Sequence, residues 1–340
     1  MKRLLCTAAI LFASPAFAEG DLKVYHWFEY MPQELVDKFE SETNIDVTID
    51  TYDSNESMLA ALKAGKLGQY DVAVPADFMV GIMKADGMLD TFTPAEMTNL
   101  GNIDPKWVDV PFDPGRTSSI PYQWGSTSFS VNREVYQGDI GSLSTIFNPP
   151  SELQGKINVL DSQNEVLILG SLYLGIPQCS TDRTQLKALN DMLLAAKPYW
   201  ASFGSDVAKD VLVSGDAAAG MIYNGFSAKA RAEGAPVEYV YPKEGHVVWM
   251  DNVVLLKDAP NRENAIKFMN FLLVPENAAA VTNYAAYSSG VLGVDPFLDD
   301  AIKTSPENNP PAGITPGVFA QACDQETQQL YDAIWTNLKK

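Results

Sequence analysis

Apolar positions in the first part of the chain follow the strand and helix periods in turn. The segments 22–27, 45–49 and 70–75 are apolar-rich or alternating and predict strands. The two stretches between them have helical spacing. Pro32 opens the first, and the run 53–56 opens the second, with its aspartate as the N-cap of a capping box. This β-α-β-α-β order predicts a parallel sheet with helices on both faces.

The same alternation resumes after residue 155 and predicts an α/β protein. Further strands are predicted at 156–160, 219–223 and 247–256, helices at 165–175, 183–198, 262–273 and 326–338, and an irregular segment at 295–317. In open α/β sheets, ligands bind outside the carboxyl ends of the strands. The residues that directly follow each strand are therefore candidate ligand contacts.

Composition narrows the range of partners. The chain has 340 residues, with 43 Asp and Glu against 24 Lys and Arg, and a formal charge of −19. Nucleic-acid binding requires clustered basic residues, so we expect no nucleic-acid partner. With 46% hydrophobic residues the composition is that of a packed globular protein. Its length exceeds what one hydrophobic core usually fills, which predicts two lobes.

The first eighteen residues have the three parts of a secretory signal peptide. Lys2 and Arg3 precede an apolar run at 4–12, and Ala16–Ala18 forms a small-x-small cleavage site. The apolar run is too short for a stable membrane span. We therefore predict that 1–18 is a signal peptide and that the mature protein is exported and soluble.

Two cysteines remain after cleavage, Cys179 and Cys323, because Cys6 leaves with the signal peptide. In an oxidising compartment a lone pair predicts a disulfide, which would stabilise the fold by ~3–5 kcal/mol. Two buried free thiols are the alternative. A disulfide would require both cysteines to lie in the same lobe.

The sequence offers little material for common catalytic sites. It contains two histidines, His26 and His246, and no GxSxG, GxGxxG or P-loop motif. We therefore expect no metal and no cofactor. A pair of carboxylates, as in glycosidases, is the catalytic arrangement that the sequence leaves open.

Aromatic and acidic residues recur together after the predicted strands. They are Trp27, Phe28, Glu29 and Tyr30, then Asp77 and Phe78, Asp161, Ser162 and Glu165, Tyr223, and Trp249 and Asp251. Carboxylates accept charge-assisted hydrogen bonds from ammonium groups, while ring faces attract cations. Each residue also has an ordinary structural alternative, such as core packing for Trp249 or helix capping for Glu29 and Asp77. Their coincidence at one edge predicts a site for an organic cation.

Eight short stretches form an ordered pattern between Tyr25 and the last predicted helix. They are WFEY at 27–30, YDSNE at 52–56, YDVAVP at 70–75, IPYQWG at 120–125, GMIYNG at 220–225, PKEG at 242–245, WMD at 249–251 and NFLL at 270–273. In order and spacing they resemble the periplasmic spermidine/putrescine-binding proteins, the substrate receptors of ABC-type polyamine importers.

The resemblance implies a type II periplasmic-binding fold. Two lobes, each a mainly parallel sheet flanked by helices, would close on a ligand about a hinge. The first lobe would comprise 19–126 and 250–296, and the second 127–249 and 297–340, so that both cysteines lie in the second. The resemblance also implies a monomer in the periplasm that docks onto an inner-membrane ABC permease.

The resemblance assigns site residues position by position. It implies aromatic walls at Trp27, Tyr30, Trp249 and Tyr287, amine-contacting carboxylates at Glu29, Glu165 and Asp251, and a polar contact at Gln321. Departures from the family pattern are Ala76 for Ser, Phe78 for Tyr, Ser162 for Asp with Asp161 before it, and Tyr223 for Trp. Asp77 would supply a carboxylate where the hydroxyl of residue 76 is lost. These departures leave the length of the preferred amine open.

Three functions follow, in order of preference. The first is a receptor without enzymatic activity that captures putrescine or spermidine between two lobes and delivers it to an ABC importer. The second keeps the fold and binds another amine, such as γ-aminobutyrate, but a carboxylate-bearing ligand would need a nearby Lys or Arg, and the strand-end segments contain none. The third is an exported hydrolase with a carboxylate pair such as Glu29 and Asp251.

Overall fold

Residues 21–340 are described by a computed structural model, and the predicted signal peptide lies outside them. Strands and helices alternate along most of these residues, as expected of an α/β protein. None of the helices in this part of the chain combines the length and the apolar character needed to cross a membrane.

The bounds of the elements are as follows. The strands are β1 (Asp21–Trp27), β2 (Asp46–Tyr52), β3 (Val72–Ala73), β4 (Asp109–Val110), β5 (Asp113–Pro114), β6 (Ser119–Asn132), β7 (Ile157–Val159), β8 (Trp200–Phe203), β9 (Ala219–Tyr223), β10 (Val237–Val240), β11 (Val247–Leu255), β12 (Ser288–Ser289) and β13 (Val318–Phe319). The α-helices are α1 (Gln33–Thr43), α2 (Asn55–Ala61), α3 (Asp77–Ala85), α4 (Ser144–Phe147), α5 (Gln163–Leu174), α6 (Arg183–Ala196), α7 (Ala208–Ser214), α8 (Asn224–Ala232), α9 (Arg262–Leu272), α10 (Pro275–Ala285), α11 (Asp300–Lys303) and α12 (Gln325–Lys339).

One mixed sheet of eleven strands runs through the described residues. Its main order is β2-β1-β3-β11-β6-β9-β7-β8, with β10, β12 and β13 paired to β6 or β11 at the side. The strands β1, β2 and β3 are parallel to one another, and so are β7, β8 and β9. Each parallel group is joined to the antiparallel pair β6 and β11. The predicted parallel sheets are therefore present, and two long strands connect them.

The connecting pair was not fully expected from the sequence. The strand β11 lies close to its prediction, whereas the fourteen-residue strand β6 had no predicted counterpart. Gly125 of β6 pairs with Trp249 of β11 at the middle of the ladder. A side chain at residue 125 would come within 2.5 Å of the Asn224 amide oxygen and 2.7 Å of the Trp249 ring. Only glycine lets these two strands and α8 approach so closely.

The helices of the first β-α-β unit form for the reasons expected, with one correction. Helix α1 buries Leu35, Val36 and Phe39, as its spacing predicts. The capping box of α2 is shifted by one residue, since Ser54 is the N-cap and accepts from the Ser57 backbone N–H at 3.1 Å. Asp53, the residue before the N-cap, accepts from the Ser57 hydroxyl at 2.8 Å and lies at the ligand edge.

Buried apolar side chains form separate clusters on the two sides of the β6–β11 pair. One cluster has members between Phe129 and Val247 and on α12, including Tyr331 and Leu338. The other two clusters have members only between 22 and 122 and between 249 and 294. Each side thus has its own core, as a two-lobed α/β fold requires.

The predicted disulfide between Cys179 and Cys323 is present, with Cα atoms 5.3 Å apart. It closes a loop with a sequence separation of 144 residues and ties the segment before α12 to the loop between α5 and α6. The alternative of two free thiols is therefore wrong. A cross-link over such a long loop restricts the unfolded chain strongly.

Candidate functional site

A cavity of about 120 Å³ lies between the two sides of the β6–β11 pair. One side contributes Trp27, Phe28, Glu29, Tyr30, Asp53, Ser54, Asn55, Glu56, Ala76, Asp77, Phe78, Asp251 and Tyr287. The other contributes Ser162, Asn164, Glu165, Ser205, Asp206, Tyr223, Phe226, Val247 and Ala320, and Trp249 of β11, which packs in the core of the first side, lies at the junction. The lining is mostly drawn from the carboxyl ends of parallel strands and the helices that follow them, where the strand-end rule places a ligand.

The turn after β1 supplies one aromatic wall. The Trp27 indole N–H donates to the Val74 carbonyl oxygen at 2.7 Å, which fixes the ring against β3. Glu29 adopts φ +48°, a left-handed conformation that is uncommon for glutamate. The following carbonyl oxygen, of Tyr30, accepts from the Tyr122 hydroxyl at 2.9 Å. The turn is therefore anchored on both sides of Glu29, whose side chain remains exposed at the cavity rim.

Asp77 lies at the first residue of α3 and is 3% exposed. Its Oδ1 accepts from the Phe78 backbone N–H at 2.7 Å, while its Oδ2 has no hydrogen-bond partner within residues 21–340. Burial raises the pKa of Asp77 to about 7, although the backbone N–H groups of Phe78 and Met250 oppose the rise. This carboxyl is therefore partly protonated near neutral pH.

Asp251 lies in β11 where the ladder with β6 is interrupted. The register between the strands shifts between Met250 and Asn252, and Asp251 instead forms an isolated bridge with Ala76. A bulge of this kind re-aims a side chain, and here it brings Asp251 into the cavity wall. Asp251 is 7% exposed, and burial raises its pKa well above the usual value, with the charges of Asp77 and Glu165 adding to the rise.

Glu165 faces the same cavity from the other side of the cleft. It lies in the first turn of α5, where the helix dipole favours an acid. Its Oε2 is buried without a hydrogen-bond partner in the described residues. Burial raises the pKa of Glu165 to about 8, and the charges of Asp77 and Glu56 contribute. Three acidic groups that gain by contact with a cation thus face one small volume.

Aromatic rings form a connected wall along the cavity. The Trp249 ring packs edge-on against Tyr287 with centroids 4.9 Å apart, and against Tyr223 at 6.1 Å. Tyr287 also meets Tyr30 at 5.6 Å. The Trp249 indole N–H donates to the Thr127 hydroxyl at 3.0 Å. Since these rings hold one another in place, they present fixed apolar and π surfaces to a ligand.

The charged side chains of the described residues that line the cavity are all acidic. Seven carboxylates line the cavity: Glu29, Asp53, Glu56, Asp77, Glu165, Asp206 and Asp251. No Lys, Arg or His among residues 21–340 lines it. Burial raises the pKa of Asp206, and the charges of Asp53 and Glu29 raise it further. An organic cation would relieve the repulsion across the cleft, whereas an anion would increase it.

Eleven of the predicted site residues line this cavity. They are Trp27, Glu29, Tyr30, Asp77, Phe78, Ser162, Glu165, Tyr223, Trp249, Asp251 and Tyr287. Asp161 does not line it, because its carboxylate accepts from Lys339 Nζ at 2.9 Å. Gln321 lies instead in a neighbouring groove beside the disulfide, where its backbone N–H donates to the Gln178 side chain at 3.1 Å. The structure gives neither residue a contact with the cavity.

Several lining residues were not predicted as ligand contacts. Asp53 and Glu56 were interpreted as capping residues, although only the shifted box of Ser54 is formed. Ser205 and Asp206 follow β8, a strand that was not predicted, so the strand-end rule could not be applied to them. Identifying β8 in the sequence would have found both.

Metal and triad chemistry receive no support from the described residues. No group of three or more His, Cys, Asp or Glu in residues 21–340 is placed to hold a metal ion. His26 and His246 are both buried, and burial lowers the pKa of each to about 4. Neither histidine lines the cavity.

The chain is similar in sequence and structure to several known proteins. The spermidine/putrescine-binding periplasmic protein of Escherichia coli is 35% identical over 305 residues, covering 88% of this chain and 87% of its own. Spermidine/putrescine-binding periplasmic protein 1 of Haemophilus influenzae is 31% identical over 326 residues, covering 95% and 90%. The crystal structure of the spermidine/putrescine ABC transporter substrate-binding protein of Streptococcus pneumoniae superposes with a TM-score of 0.78 at 29% identity, covering 94% and 98%.

The family assignment rests on most of the chain. Residues 34–310 match the model of the bacterial extracellular solute-binding proteins. That match includes both sides of the cleft and the strands that connect them. Together with the two-lobed α/β architecture, it places this chain in the family of bacterial extracellular solute-binding proteins.

Proposed function

We propose that this protein is a periplasmic receptor that binds a linear polyamine, putrescine or spermidine, between its two lobes and delivers it to an ABC importer. The carrying observation is the cavity, which has seven carboxylates, a connected aromatic wall and no basic residue from the described part of the chain. The names of its relatives agree with this ligand class. The family consists of solute-binding receptors, and we infer that this member has no enzymatic activity.

Two kinds of contact would hold the amine. The carboxylates of Glu165 and Asp251 would accept hydrogen bonds from the ammonium groups, with Glu29 at the rim. The rings of Trp27 and Trp249 would cover the methylene chain and attract the cationic ends. Because the carboxyl oxygens are buried, each ion pair would form away from water, where removal of one partner is costly.

We propose that the lobes comprise 19–126 with 250–296 and 127–249 with 297–340. The separate cores on the two sides of the β6–β11 pair support this division, except that Trp249 packs in the core of the first lobe. With this division, Asp251 belongs to the first lobe and Glu165 to the second. A polyamine paired with both would draw the lobes together and favour the closed state. A monomer that closes in this way would present its two lobes to the permease.

Calorimetric titration of the mature protein tests this proposal. Putrescine and spermidine are expected to bind, and cadaverine to bind comparably or less tightly. γ-Aminobutyrate is expected to bind much more weakly, because its carboxylate would face acidic groups with no cation in the lining. Failure of both putrescine and spermidine to bind would overturn the proposal. Tighter binding of γ-aminobutyrate would favour a receptor for zwitterions instead.

The hydrolase alternative is tested by the fate of the ligand. Glu29 is exposed at the rim while Asp251 is buried, and an acid catalyst would require a proton on the buried group. The raised pKa of Asp251 is equally expected of a buried carboxyl whose partner is a cationic ligand. Recovery of unaltered polyamine after prolonged incubation supports a receptor, whereas turnover of a glycoside substrate would support the hydrolase.

A further inference from the structure

Asp77 is a third buried carboxyl in the cavity, beside the two that the proposed polyamine site uses. It is 3% exposed and lines the same volume as Glu165 and Asp251. Its Oδ2 has no hydrogen-bond partner in the described residues. A buried, unpartnered carboxyl oxygen costs free energy unless a ligand or a proton satisfies it. The position therefore calls for an explanation beyond helix capping.

The surroundings of Asp77 contain other acids and no cation. The charge of Asp77 raises the pKa of Glu165 on α5, across the cleft. It also raises the pKa of Asp251 on β11. The charge of Glu56 on α2 also raises the pKa of Glu165, so Glu56 belongs to the same group of acids. No basic side chain within residues 21–340 lines this volume. A cationic partner for Asp77 would therefore be one that a ligand brings, and without it a proton satisfies the carboxyl.

We propose that Asp77 is a specificity-determining residue that pairs with a third ammonium group, so that the cavity favours a triamine such as spermidine over a diamine such as putrescine. The proposal rests on the polyamine-receptor function above. Two ammonium groups satisfy Glu165 and Asp251 and leave Asp77 without a cationic partner. The internal secondary ammonium of a linear triamine brings the number of ammonium groups to three, which supplies that partner and removes the remaining buried acid–acid repulsion.

The number of protons released on binding tests the pairing of Asp77 independently of affinity. Burial raises the pKa of Asp77 to about 7 and of Glu165 to about 8, and raises that of Asp251 well above its usual value. Each carboxyl that pairs with an ammonium group gives up its proton. At a pH near 6, where Asp77 is mostly protonated, spermidine is expected to release about one proton more than putrescine.

The experiment compares spermidine with putrescine on the wild-type mature protein and on Asp77→Asn. The substitution is expected to weaken spermidine binding by about tenfold or more and putrescine binding by less than about threefold. Titration at pH 6 in buffers of different ionisation enthalpy then counts the protons. The extra proton released with spermidine should disappear in the variant.

Two further variants make the test specific. Asp77→Ser keeps a residue that suits a helix N-terminus and should give the same change in the spermidine-to-putrescine affinity ratio. Asp37→Asn removes an equal charge from the exposed face of α1, outside the cavity, and should leave the ratio unchanged. Thermal unfolding verifies that each variant is folded.

The outcomes separate this proposal from the function beneath it. If neither amine binds the wild-type protein, the receptor function fails and the role of Asp77 fails with it. If both amines bind and the two Asp77 variants leave their affinity ratio unchanged, Asp77 serves only the structure of α3. The triamine proposal is then wrong while the receptor function stands. The triamine proposal is also wrong if folded Asp77→Asn still releases the extra proton with spermidine.

Discussion

At the scale of single residues, Asp251 and Glu165 connect the two lobes to one ligand. Asp251 is buried and Glu165 half-buried among like charges, and neither has a basic partner in the cavity lining within residues 21–340. Their raised pKa values follow from burial first and from mutual repulsion second. The free energy that these groups lose on burial is recovered when ammonium groups enter, which couples binding to closure.

We expect Asp251→Asn and Glu165→Gln each to weaken putrescine binding at least about tenfold, because an ammonium group would then lie desolvated beside a neutral amide. Calorimetric titration measures the loss. The matched control is Asp161→Asn, since Asp161 pairs with Lys339 and does not line the cavity. The control should bind like the wild type. Wild-type affinity in both cavity variants would contradict the assignment of these carboxylates.

At the scale of elements, the parallel strands and the helices with clear spacing were predictable, whereas β6 was not. Its buried residues include Thr127, Ser128 and Ser130, so the strand lacks the alternation of apolar and polar residues that identifies a half-exposed strand. Pro121 and Gly125 interrupt the pattern further. Two of these hydroxyls have distant partners, since Ser130 shares a 2.8 Å hydrogen bond with the Ser227 hydroxyl and Thr127 accepts from the Trp249 indole N–H at 3.0 Å. Such pairings are not visible in local sequence.

Long-range pairing also explains why one predicted contact lies outside the cavity. The strand-end rule selects Asp161 after β7, and the rule is sound, because its neighbours Ser162 and Glu165 do reach the cavity. The side chain of Asp161 is held elsewhere by Lys339 of α12, 178 residues away. Eleven of the thirteen predicted contacts reach the cavity because they follow from strand ends and family motifs, which constrain the backbone directly.

The β6–β11 pair has a testable weak point at Gly125. We expect Gly125→Ala to lower the free energy of unfolding by about 1–3 kcal/mol, because the new methyl group would overlap Asn224 and Trp249. Urea denaturation measures the change. Gly101→Ala serves as control, since a side chain there meets nothing within 4 Å. Equal stability of the two variants would show that the strands can move apart without cost.

At the scale of the whole molecule, the acidic charge divides into a surface part and a cleft part. Most of the 43 acidic residues lie outside the cavity and contribute solubility and a general attraction for cations. The seven in the lining face one volume, so their mutual repulsion opposes closure of the lobes until a cation binds. Protonation of the buried members relieves that repulsion. The closed state is therefore linked to pH as well as to ligand.

The sign of this linkage follows from the raised pKa values. Glu165 titrates at about 8 and Asp77 at about 7 in the folded protein, against ~4 in an unfolded chain. The stability that these two groups contribute is fully present below pH ~4 and is lost as the pH rises through 7 and 8. The ligand-free protein should thus lose this contribution between about pH 5 and pH 8.

A bound polyamine stabilises the folded protein more as the pH rises, because an ammonium group favours the ionised form of a carboxyl. We expect the increase in melting temperature caused by a fixed excess of putrescine to be larger at pH 8 than at pH 5.5, as more carboxylates are ionised and available. Differential scanning calorimetry at both pH values measures it. In Glu165→Gln the difference between the two pH values should shrink, since the group with a pKa of about 8 is gone. A ligand-induced shift that is the same at both pH values in the wild-type protein would mean that the buried carboxyls do not bind the cation.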